Sequence, residues 1–149
     1  DKMNILYNIS DFCINISYAE GFGLATLESM SAGTPIIAVK TGGLTRQVVD
    51  HRTGDENGIA IDVDLRTLVG SQGVPYIYED YASNKSISEA IMKFYEKTEI
   101  EKKELKDKVL EYVSSEFNHD DIVNMWDKSL SDTISSWRDN YKRYEIISI

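Results

Sequence analysis

Residues 11–39 read DFCINISYAEGFGLATLESMSAGTPIIAV, and this order of apolar and glycine residues predicts a strand, a turn, a helix and a second strand. Asp11 to Ser17 has its apolar residues at alternate positions, which is typical of a strand with one buried face. Gly21 and Gly23 lie in the turn. Pro35 to Val39 is a short apolar run of the kind found in strands that are covered on both faces. The segment therefore predicts a βαβ unit.

The predicted helix between these two strands runs from Leu24 to Ala32 and ends near Gly33. Its larger apolar residues recur at helical spacing, so we expect them to form its buried side. They are Leu24, Leu27 and Met30.

A second unit of the same kind follows. Gly42 and Gly43 open a loop before a short predicted helix from Leu44 to Val49, and Gly58 to Val63 reads as the next strand. Another short helix, Lys2 to Ile9, precedes the first strand. Strands that alternate with helices at this spacing pair in parallel. We therefore predict an α/β fold, a Rossmann-like parallel sheet with flanking helices.

The pattern changes after residue 64. Arg66 to Tyr81 has no clear period and predicts an irregular insertion with a short strand at Pro75 to Tyr78. Three helices are then predicted, over Ser86–Thr98, Glu99–Ser115 and Asp120–Leu130. The last stretch, Asp132 to Ile147, has an apolar and aromatic side that is typical of core or of a helix that packs on a partner. This side consists of Ile134, Trp137, Tyr141 and Tyr144.

Composition narrows the class of protein. The formal net charge of −9 argues against nucleic acid or an anionic membrane surface as a general partner. No apolar run approaches the roughly 20 residues that span a bilayer, and no signal peptide is visible. Cys13 is the single cysteine and can form no internal disulfide, which favours the cytoplasm. Because the chain starts at Asp1 in what reads as the middle of a helix, we expect it to be a piece of something longer.

Residues 20–28 (EGFGLATLE) combine an anion site with a site for a polyol. A strand-to-helix turn with glycines leaves several backbone N–H groups unpaired at the positive end of the helix dipole. A diphosphate can bind there without a basic side chain. Glu20 and Glu28, at the two ends of the segment, supply carboxylate acceptors for sugar hydroxyls. The pattern predicts a nucleotide-sugar site, with Phe22 as a packing residue in the turn.

These residues resemble glycosyltransferase family four, the large family of retaining enzymes with the GT-B fold. The resemblance covers most of residues 3–62 and is weaker beyond them. Its segments are residues 7–11 (YNISD), 17–24 (SYAEGFGL), 28–35 (ESMSAGTP), the pair Gly42-Gly43, residues 57–61 (NGIAI), and Phe117 with the helix through Trp126.

The resemblance implies roles for individual residues. Glu20 would bind hydroxyls of the donor sugar at the catalytic centre, and Glu28 would hold the ribose. The backbone of the turn would meet the diphosphate, through the N–H groups of Phe22, Gly23, Leu24 and Ala25, with Gly21 beside them. Preorganised donors would then stabilise the charge on the departing diphosphate.

The resemblance also implies the reaction and its setting. A hexose would pass from a nucleoside diphosphate, with GDP-mannose favoured over a UDP-sugar, to a hydroxyl of a glycan, a lipid or another acceptor. No metal would be needed. Residues 1–131 would belong to the C-terminal nucleotide-sugar-binding domain, and residues 132–149 would form a helix that packs toward an N-terminal domain. The enzyme would work in the cytoplasm or at the periphery of a membrane, and this piece alone would be inactive.

Some features depart from the family pattern. The basic pair that neutralises the diphosphate and the acceptor-binding N-terminal domain would both precede Asp1. The family often has a glutamate three residues after the double glycine, where this chain has Arg46, followed by Gln47. This departure concerns the same loop through which Gly42 and Gly43 would contact the ligand. Lys40 is the one basic residue close to the predicted site and could approach a phosphate.

Two alternative functions remain open at this point. The same cradle could serve a non-catalytic module that binds nucleotide sugars. Asp62 and Asp64 form an Asp-x-Asp pair after a strand, the context in which GT-A glycosyltransferases hold Mg²⁺ or Mn²⁺. We favour a surface turn for this pair. The run Asn118-His119-Asp120-Asp121 likewise predicts a helix start rather than a metal site.

Overall fold

The computed structural model describes residues 2–141, without the side chains of Arg138 and Asn140. It forms two compact units that meet at Glu116 and Phe117, and each is described separately. The first contains α1 (Lys2–Ile9), β1 (Cys13–Asn15), α2 (Leu24–Ser31), β2 (Ile36–Val39), α3 (Leu44–Val48), β3 (Gly58–Ile61), β4 (Leu65–Val69), β5 (Ile77–Tyr81), α4 (Asn84–Tyr95) and α5 (Glu99–Glu116). The second contains α6 (His119–Asn140).

The first three strands form the predicted parallel sheet, in the order β1-β2-β3. The central strand β2 is buried along its whole length, as its apolar run predicted. Gly58 fixes the approach of β3, because a Cβ at this position would lie 1.7 Å from the Ile36 carbonyl oxygen. At the other edge, β1 is only three residues long, and no strand in the described residues pairs with its outer side. Its Ile14 is 41% exposed.

Both faces of the sheet are covered. On one side, α4 contributes Ala90 and Phe94 to a cluster with apolar residues of β2 and β3. The Phe12 ring packs on Phe94 with 5.0 Å between ring centroids. A second group of buried apolar side chains comes from α2, α3 and α5, and consists of Met30, Leu44, Val48, Val109 and Tyr112. This is the layered α/β arrangement that the alternating strands and helices predicted.

The buried side of α2 differs from the prediction. Thr26, Ser29 and Met30 are buried, whereas Leu24 is 70% exposed, so the assignment of Leu24 to the core was wrong. Polar side chains can face inward here because each finds a partner: for example, the Ser29 hydroxyl donates to the Thr34 carbonyl oxygen at 3.1 Å. The apolar spacing of α2 therefore marks a different surface of the helix.

The insertion after β3 is regular, which corrects the prediction of an irregular segment. Strands β4 and β5 pair antiparallel, with Arg66 opposite Asp80 and Val69 opposite Ile77. The second strand lies at Ile77–Tyr81 rather than at Pro75–Tyr78. Most of its apolar residues are exposed, including Leu68 at 54% and Tyr78 at 58%. A hairpin whose apolar residues are mostly exposed shows no period of buried residues, so its sequence predicted only one short strand and missed β4.

In the described part of the second unit, one continuous helix, α6, takes the place of the two helices that the sequence predicted. No glycine or proline occurs between His119 and Asn140 to end it. Asn118 caps its start, because its side chain accepts hydrogen bonds from the N–H groups of Asp120 and Asp121 at 2.9 and 3.1 Å. The predicted helix start is thereby confirmed. Among the described helices, none combines the length and the hydropathy that a membrane crossing requires.

The aromatic side of this helix is exposed. Trp137 and Tyr141 stack with 4.9 Å between ring centroids, and each is 55% exposed, so they are not core. Tyr144 and the rest of residues 142–149 lie outside the described residues. The packing of residues 132–149 on an N-terminal domain stays a prediction, as does a domain limit at residue 131, which falls inside α6.

Candidate functional site

The turn between β1 and α2 requires glycine at Gly23. This residue has a φ of +89°, in the left-handed region, and a Cβ there would lie 2.7 Å from both Leu44 Cδ2 and Thr26 Oγ1. Gly23 is also the N-cap of α2, and no side chain caps this helix. The first N–H groups of the helix therefore have neither an intrahelical partner nor a side-chain acceptor.

The side chain of Gln47 on α3 holds the same turn through hydrogen bonds to its backbone. Its side chain is fully buried, and Nε2 donates to the carbonyl oxygens of Phe22 at 2.6 Å and Gly23 at 3.2 Å. Its Oε1 accepts from the Thr26 hydroxyl at 2.5 Å. Because the N–H and C=O of a planar trans peptide point in opposite directions, the N–H groups of Gly23 and Leu24 point away from α3.

Sequence reasoning missed this role of Gln47. The residue followed Arg46 at the place where the chain departs from the family pattern, and a glutamine on a short helix looks like a solvated side chain. Arg46 itself turns elsewhere, since its Nε donates to Glu116 at 2.8 Å. One signal in the sequence could have indicated this role: Gln47 lies about one helical turn after Gly42 and Gly43, which belong to the predicted site.

Gly42 and Gly43 press directly on the turn. A Cβ at Gly42 would lie 1.8 Å from the Glu20 carbonyl oxygen, and one at Gly43 would lie 2.5 Å from that of Phe22. The Gly43 N–H also donates to the Glu20 carbonyl at 3.2 Å. The two glycines thus allow one loop to lie against the backbone of the other, which locates Glu20 relative to β2.

Glu20 is partly buried beyond the end of β1. In the described part of the chain, its carboxylate has no hydrogen bond and no ion pair. A carboxylate at this edge of the sheet keeps its acceptor capacity for a ligand, and ligands of open α/β sheets bind at the carboxyl ends of the strands.

Glu28 lies one turn into α2 and is joined to α1. The Tyr7 hydroxyl donates to Glu28 Oε2 at 3.1 Å. Partial burial, and then this hydrogen bond, raise the pKa of Tyr7 above its ordinary value. Beside the pair lies a cavity of about 410 Å³ that has apolar walls and a few polar groups, as small-molecule sites do. Its lining residues are Met3, Asn4, Tyr7, Leu24, Leu27, Glu28 and Ser31.

The cavity explains the unexpected exposure of Leu24. Of the three apolar residues that the sequence placed on the buried side, Leu24 and Leu27 form a wall of this cavity next to Glu28, whereas Met30 is buried as predicted. The helix α2 therefore has a polar side that packs inward and an apolar side that borders the candidate site.

The remaining predicted residues are engaged within the chain. Lys40 forms an ion pair with Asp62. Asp64 accepts from the Ser83 N–H at 2.6 Å and from the Ser86 hydroxyl at 2.8 Å, and these bonds lower its pKa. Each acidic residue of the Asp-x-Asp pair thus has its own partner. Within residues 2–141, no group of three or more His, Cys, Asp or Glu side chains is arranged to hold a metal ion.

The structure brings Glu20, the glycine turn and the double glycine together, whereas Lys40 pairs with Asp62. Two residues to which sequence reasoning gave no role support this cluster. They are Gln47 and Asp80, whose backbone N–H donates to the Tyr18 carbonyl at 2.7 Å. Tyr7 in turn holds Glu28.

The chain is similar in sequence to several known proteins. The chain is 42% identical over 79 residues to D-inositol 3-phosphate glycosyltransferase 2 of Catenulispora acidiphila, a match that covers 52% of this chain and 18% of that protein. It is 29% identical over 110 residues to N-acetyl-alpha-D-glucosaminyl L-malate synthase of Bacillus anthracis, covering 64% of this chain and 29% of that protein.

The fold resembles the catalytic domain of starch synthase IV from Arabidopsis thaliana, solved with ADP and acarbose. The TM-score is 0.62 at 25% identity, over 87% of this chain and 24% of that one. The predicted α/β class, with a parallel sheet and flanking helices, is confirmed. The chain spans less than a third of the length of each of these proteins.

The family match itself covers the whole of the candidate site. Residues 1–108 match the family described as "Glycosyl transferases group 1". This range includes the three parallel strands, the glycine turn, Glu20 and Glu28. The chain belongs to the group 1 glycosyl transferase family.

Proposed function

We propose that this chain is the donor-binding part of a retaining GT-B glycosyltransferase of family four, lying in its C-terminal domain. It would bind a nucleoside diphosphate hexose and support transfer of the hexose to an acceptor hydroxyl. The observation that carries the proposal is the fastening of the Phe22 and Gly23 carbonyls by Gln47. Because these two carbonyls point toward α3, the N–H groups of the same two peptides, those of Gly23 and Leu24, point outward.

The diphosphate binds at these outward peptide groups. The N–H groups of Gly23 and Leu24 belong to these peptide groups, at the uncapped start of α2, where the helix dipole favours negative charge. The family resemblance adds the N–H groups of Phe22 and Ala25. The donors are held in place before the ligand arrives, so they stabilise the charge that develops on the leaving diphosphate without reorganising. Gly21, with no atom within 4 Å of a Cβ built on it, leaves room on the ligand side.

The sugar binds at Glu20. Its carboxylate has no partner in the described chain and can accept hydrogen bonds from hexose hydroxyls, which fixes the orientation of the reacting carbon. Gly42 and Gly43 contribute by holding the Glu20 backbone, which gives them a positioning role in addition to any contact with the donor.

The nucleoside binds beside Glu28. The carboxylate accepts from the ribose hydroxyls, and the cavity with the Leu24 and Leu27 wall takes an apolar surface of the nucleoside. Tyr7 keeps one oxygen of Glu28 in place while the other remains available.

The identity of the donor is the finer part of the proposal. We expect a hexose, with GDP-mannose ahead of a UDP-sugar. None of the names of the three similar proteins mentions mannose or GDP, so this preference rests on the family resemblance alone. The reaction is proposed to need no metal, with a glycan, lipid or other hydroxyl compound as acceptor and an N-terminal domain of the same protein completing the site. The lone Cys13 favours the cytoplasm, at or near a membrane, as the location.

Calorimetric titration of the full-length protein tests this proposal. The ligands are GDP, UDP, ADP and their hexose conjugates without added metal, and the variant is Glu28→Ala. Glu89→Ala is the control, because Glu89 is an exposed glutamate on α4 away from the turn. Binding of one nucleotide class that Glu28→Ala weakens and Glu89→Ala leaves unchanged supports the proposal. No binding of any ligand would overturn it, and binding without transfer or donor hydrolysis would favour the non-catalytic module.

A further inference from the structure

The β4–β5 hairpin is attached to the candidate site rather than to the core. Within its two strands Asp80 is the one buried residue, at 4% exposure. The Asp80 N–H donates to the Tyr18 carbonyl oxygen at 2.7 Å. The ring of Tyr81 packs on that of Tyr18, with 4.3 Å between centroids. The base of the hairpin therefore holds the residue that lies two positions before Glu20.

The Asp80 carboxylate is held in turn by both of its neighbours. Arg66, opposite it on β4, donates from Nε to Oδ1 at 2.5 Å and from Nη2 to Oδ2 at 3.0 Å. Arg66 and, to a smaller extent, Thr41 lower the pKa of Asp80 by hydrogen bonding to its charged form. A carboxylate this deeply buried depends on its guanidinium partner, since an unpaired buried charge is costly.

Thr41 links Asp80 and Tyr18 to the loop that contains the double glycine. Its hydroxyl lies 3.4 Å from the Tyr18 carbonyl oxygen, and it immediately precedes Gly42. The loop after β2, the segment after β1 and the base of the hairpin thus meet at Asp80, whose backbone N–H holds Tyr18 and whose carboxylate is held by Arg66. Each of the three is connected to the backbone at Tyr18 to Glu20.

We propose that Asp80, paired with Arg66, is a positioning residue that sets the Tyr18–Glu20 segment for its contact with the donor sugar. The hairpin then acts on the transfer step, because Glu20 touches sugar, and leaves the nucleoside contact at Glu28 unaffected. The inference rests on the proposed function for the role of Glu20. The connection between hairpin and segment stands on the contacts themselves.

The test compares Asp80→Asn with Asp50→Asn in the full-length protein. Asp50 is a matched control, because it is also buried, at 7% exposure, and paired with an arginine: Arg52 Nη2 lies 2.9 Å from its Oδ2. Among the described residues, its carboxylate bonds to Arg52 and not to the Tyr18–Glu20 segment. We expect Asp80→Asn to lower kcat about 10- to 100-fold, the effect of a small misplacement of a reacting group. The Kd for the free nucleoside diphosphate should change by less than about twofold, because the loss of even one hydrogen bond to the ligand would change it by more than that.

Amide hydrogen exchange supplies a readout that does not need activity. Peptides covering residues 16–23 should exchange faster in Asp80→Asn than in Asp50→Asn or the parent protein. Arg66→Gln is the second variant if Asp80→Asn does not fold, because most of the Arg66 side chain is exposed. It should show the same split between kcat and nucleotide affinity.

The outcomes separate the two proposals. Equal kcat in Asp80→Asn, Asp50→Asn and the parent enzyme, or equal losses in both variants, would overturn the positioning role while leaving the transferase intact. A parent protein that neither transfers nor hydrolyses donor would remove the proposed function. In that case the exchange of residues 16–23 still decides whether Asp80 orders the segment, and unchanged exchange would overturn this inference as well.

Discussion

The Tyr7 hydroxyl donates a 3.1 Å hydrogen bond to Glu28 Oε2, joining α1 to α2 across the cavity of the candidate site. Glu28 is exposed, and an exposed glutamate on a helix would otherwise sample several rotamers. The bond selects the rotamers that keep the carboxylate beside the cavity. A ribose would then meet an acceptor whose position is already set.

Tyr7→Phe tests this arrangement. It removes one hydrogen bond and keeps the ring, so we expect the Kd for the nucleoside diphosphate to rise about two- to tenfold, which corresponds to about 0.5–1.5 kcal/mol. Titration calorimetry measures it. Tyr95→Phe on α4, where the ring is 74% exposed, is the control and should bind like the parent protein. An unchanged Kd in Tyr7→Phe would mean that Glu28 needs no orientation.

Glu20→Ala and Glu28→Ala should separate sugar from nucleotide. Glu20→Ala should abolish transfer with little change in affinity for the free nucleotide, because the proposed function gives Glu20 a contact with the sugar and none with the nucleotide. Glu28→Ala should weaken nucleotide binding by about 1.5–3 kcal/mol, the value of hydrogen bonds to a charged group. Calorimetry and a transfer assay on the same preparations measure both effects. Equal effects of the two changes on nucleotide affinity would contradict the division of roles.

Gln47→Leu should disturb the proposed diphosphate site, because Gln47 holds the carbonyl side of the turn, opposite the N–H groups that would bind the ligand. The substitution removes the donor that holds the Phe22 and Gly23 carbonyls, while the Thr26 hydroxyl keeps the Gly23 carbonyl oxygen, at 2.7 Å, as an acceptor. We expect a loss of about 1–3 kcal/mol in the free energy of unfolding, from unsatisfied buried groups. The affinity for nucleoside diphosphate should fall more than that for the monophosphate. A parallel fall for both ligands would show that the turn does not select for the diphosphate.

Gly42→Ala and Gly54→Ala form a matched pair of glycines with positive φ. At Gly42 a Cβ would lie 1.8 Å from the Glu20 carbonyl oxygen, whereas at Gly54 nothing lies within 4 Å. Both changes carry the left-handed backbone cost of about 1–2 kcal/mol. Only Gly42→Ala should displace Glu20 and lower kcat. Thermal unfolding and transfer kinetics on both variants check this, and an equal kcat would show that the loop yields without moving Glu20.

Because the pKa of Tyr112 is raised, we expect the free energy of unfolding to decrease at high pH. Burial is the main cause that raises its pKa to about 12, from an ordinary value of 10.0. The unfolded chain therefore releases this proton before the folded chain does, so stability is complete below pH 10 and falls as the pH rises toward 12. Tyr112→Phe loses the bond to the Arg46 carbonyl oxygen but should show a shallower fall of Tm over this range. Parallel Tm curves for the two proteins would contradict the assignment.

The parallel sheet could be predicted because its signals are local. β2 is a run of apolar residues that is buried on both faces, and the glycines at 23 and 33 mark the two ends of α2. The position of Glu20 follows from the same pattern, since it comes just after a strand and before a helix. Each of these features depends on residues that are close in sequence, so a short window of sequence is enough to predict it.

The supporting residues could not be predicted because their partners are distant in sequence. Gln47 contacts a turn more than twenty residues before it, and Asp80 is buried by an arginine across a hairpin whose own strands are exposed. On the inward side of α2, Met30 was predicted correctly, but Leu24 was misassigned and Thr26 and Ser29 were missed, for a related reason. Its polar residues are satisfied by tertiary hydrogen bonds that no period in the sequence reveals.

The short strand β1 has a consequence for how the chain behaves when it is made by itself. Its outer N–H and C=O groups have no strand beside them in the described residues, and Ile14 and Ile16 are 41% and 45% exposed. An uncovered strand edge is a template for strands of other molecules. We therefore expect the isolated chain to self-associate as its concentration rises, through backbone pairing at one three-residue strand. Charge substitutions on the helices would do little to prevent it, whereas a proline at Ile14 would block the pairing at its source.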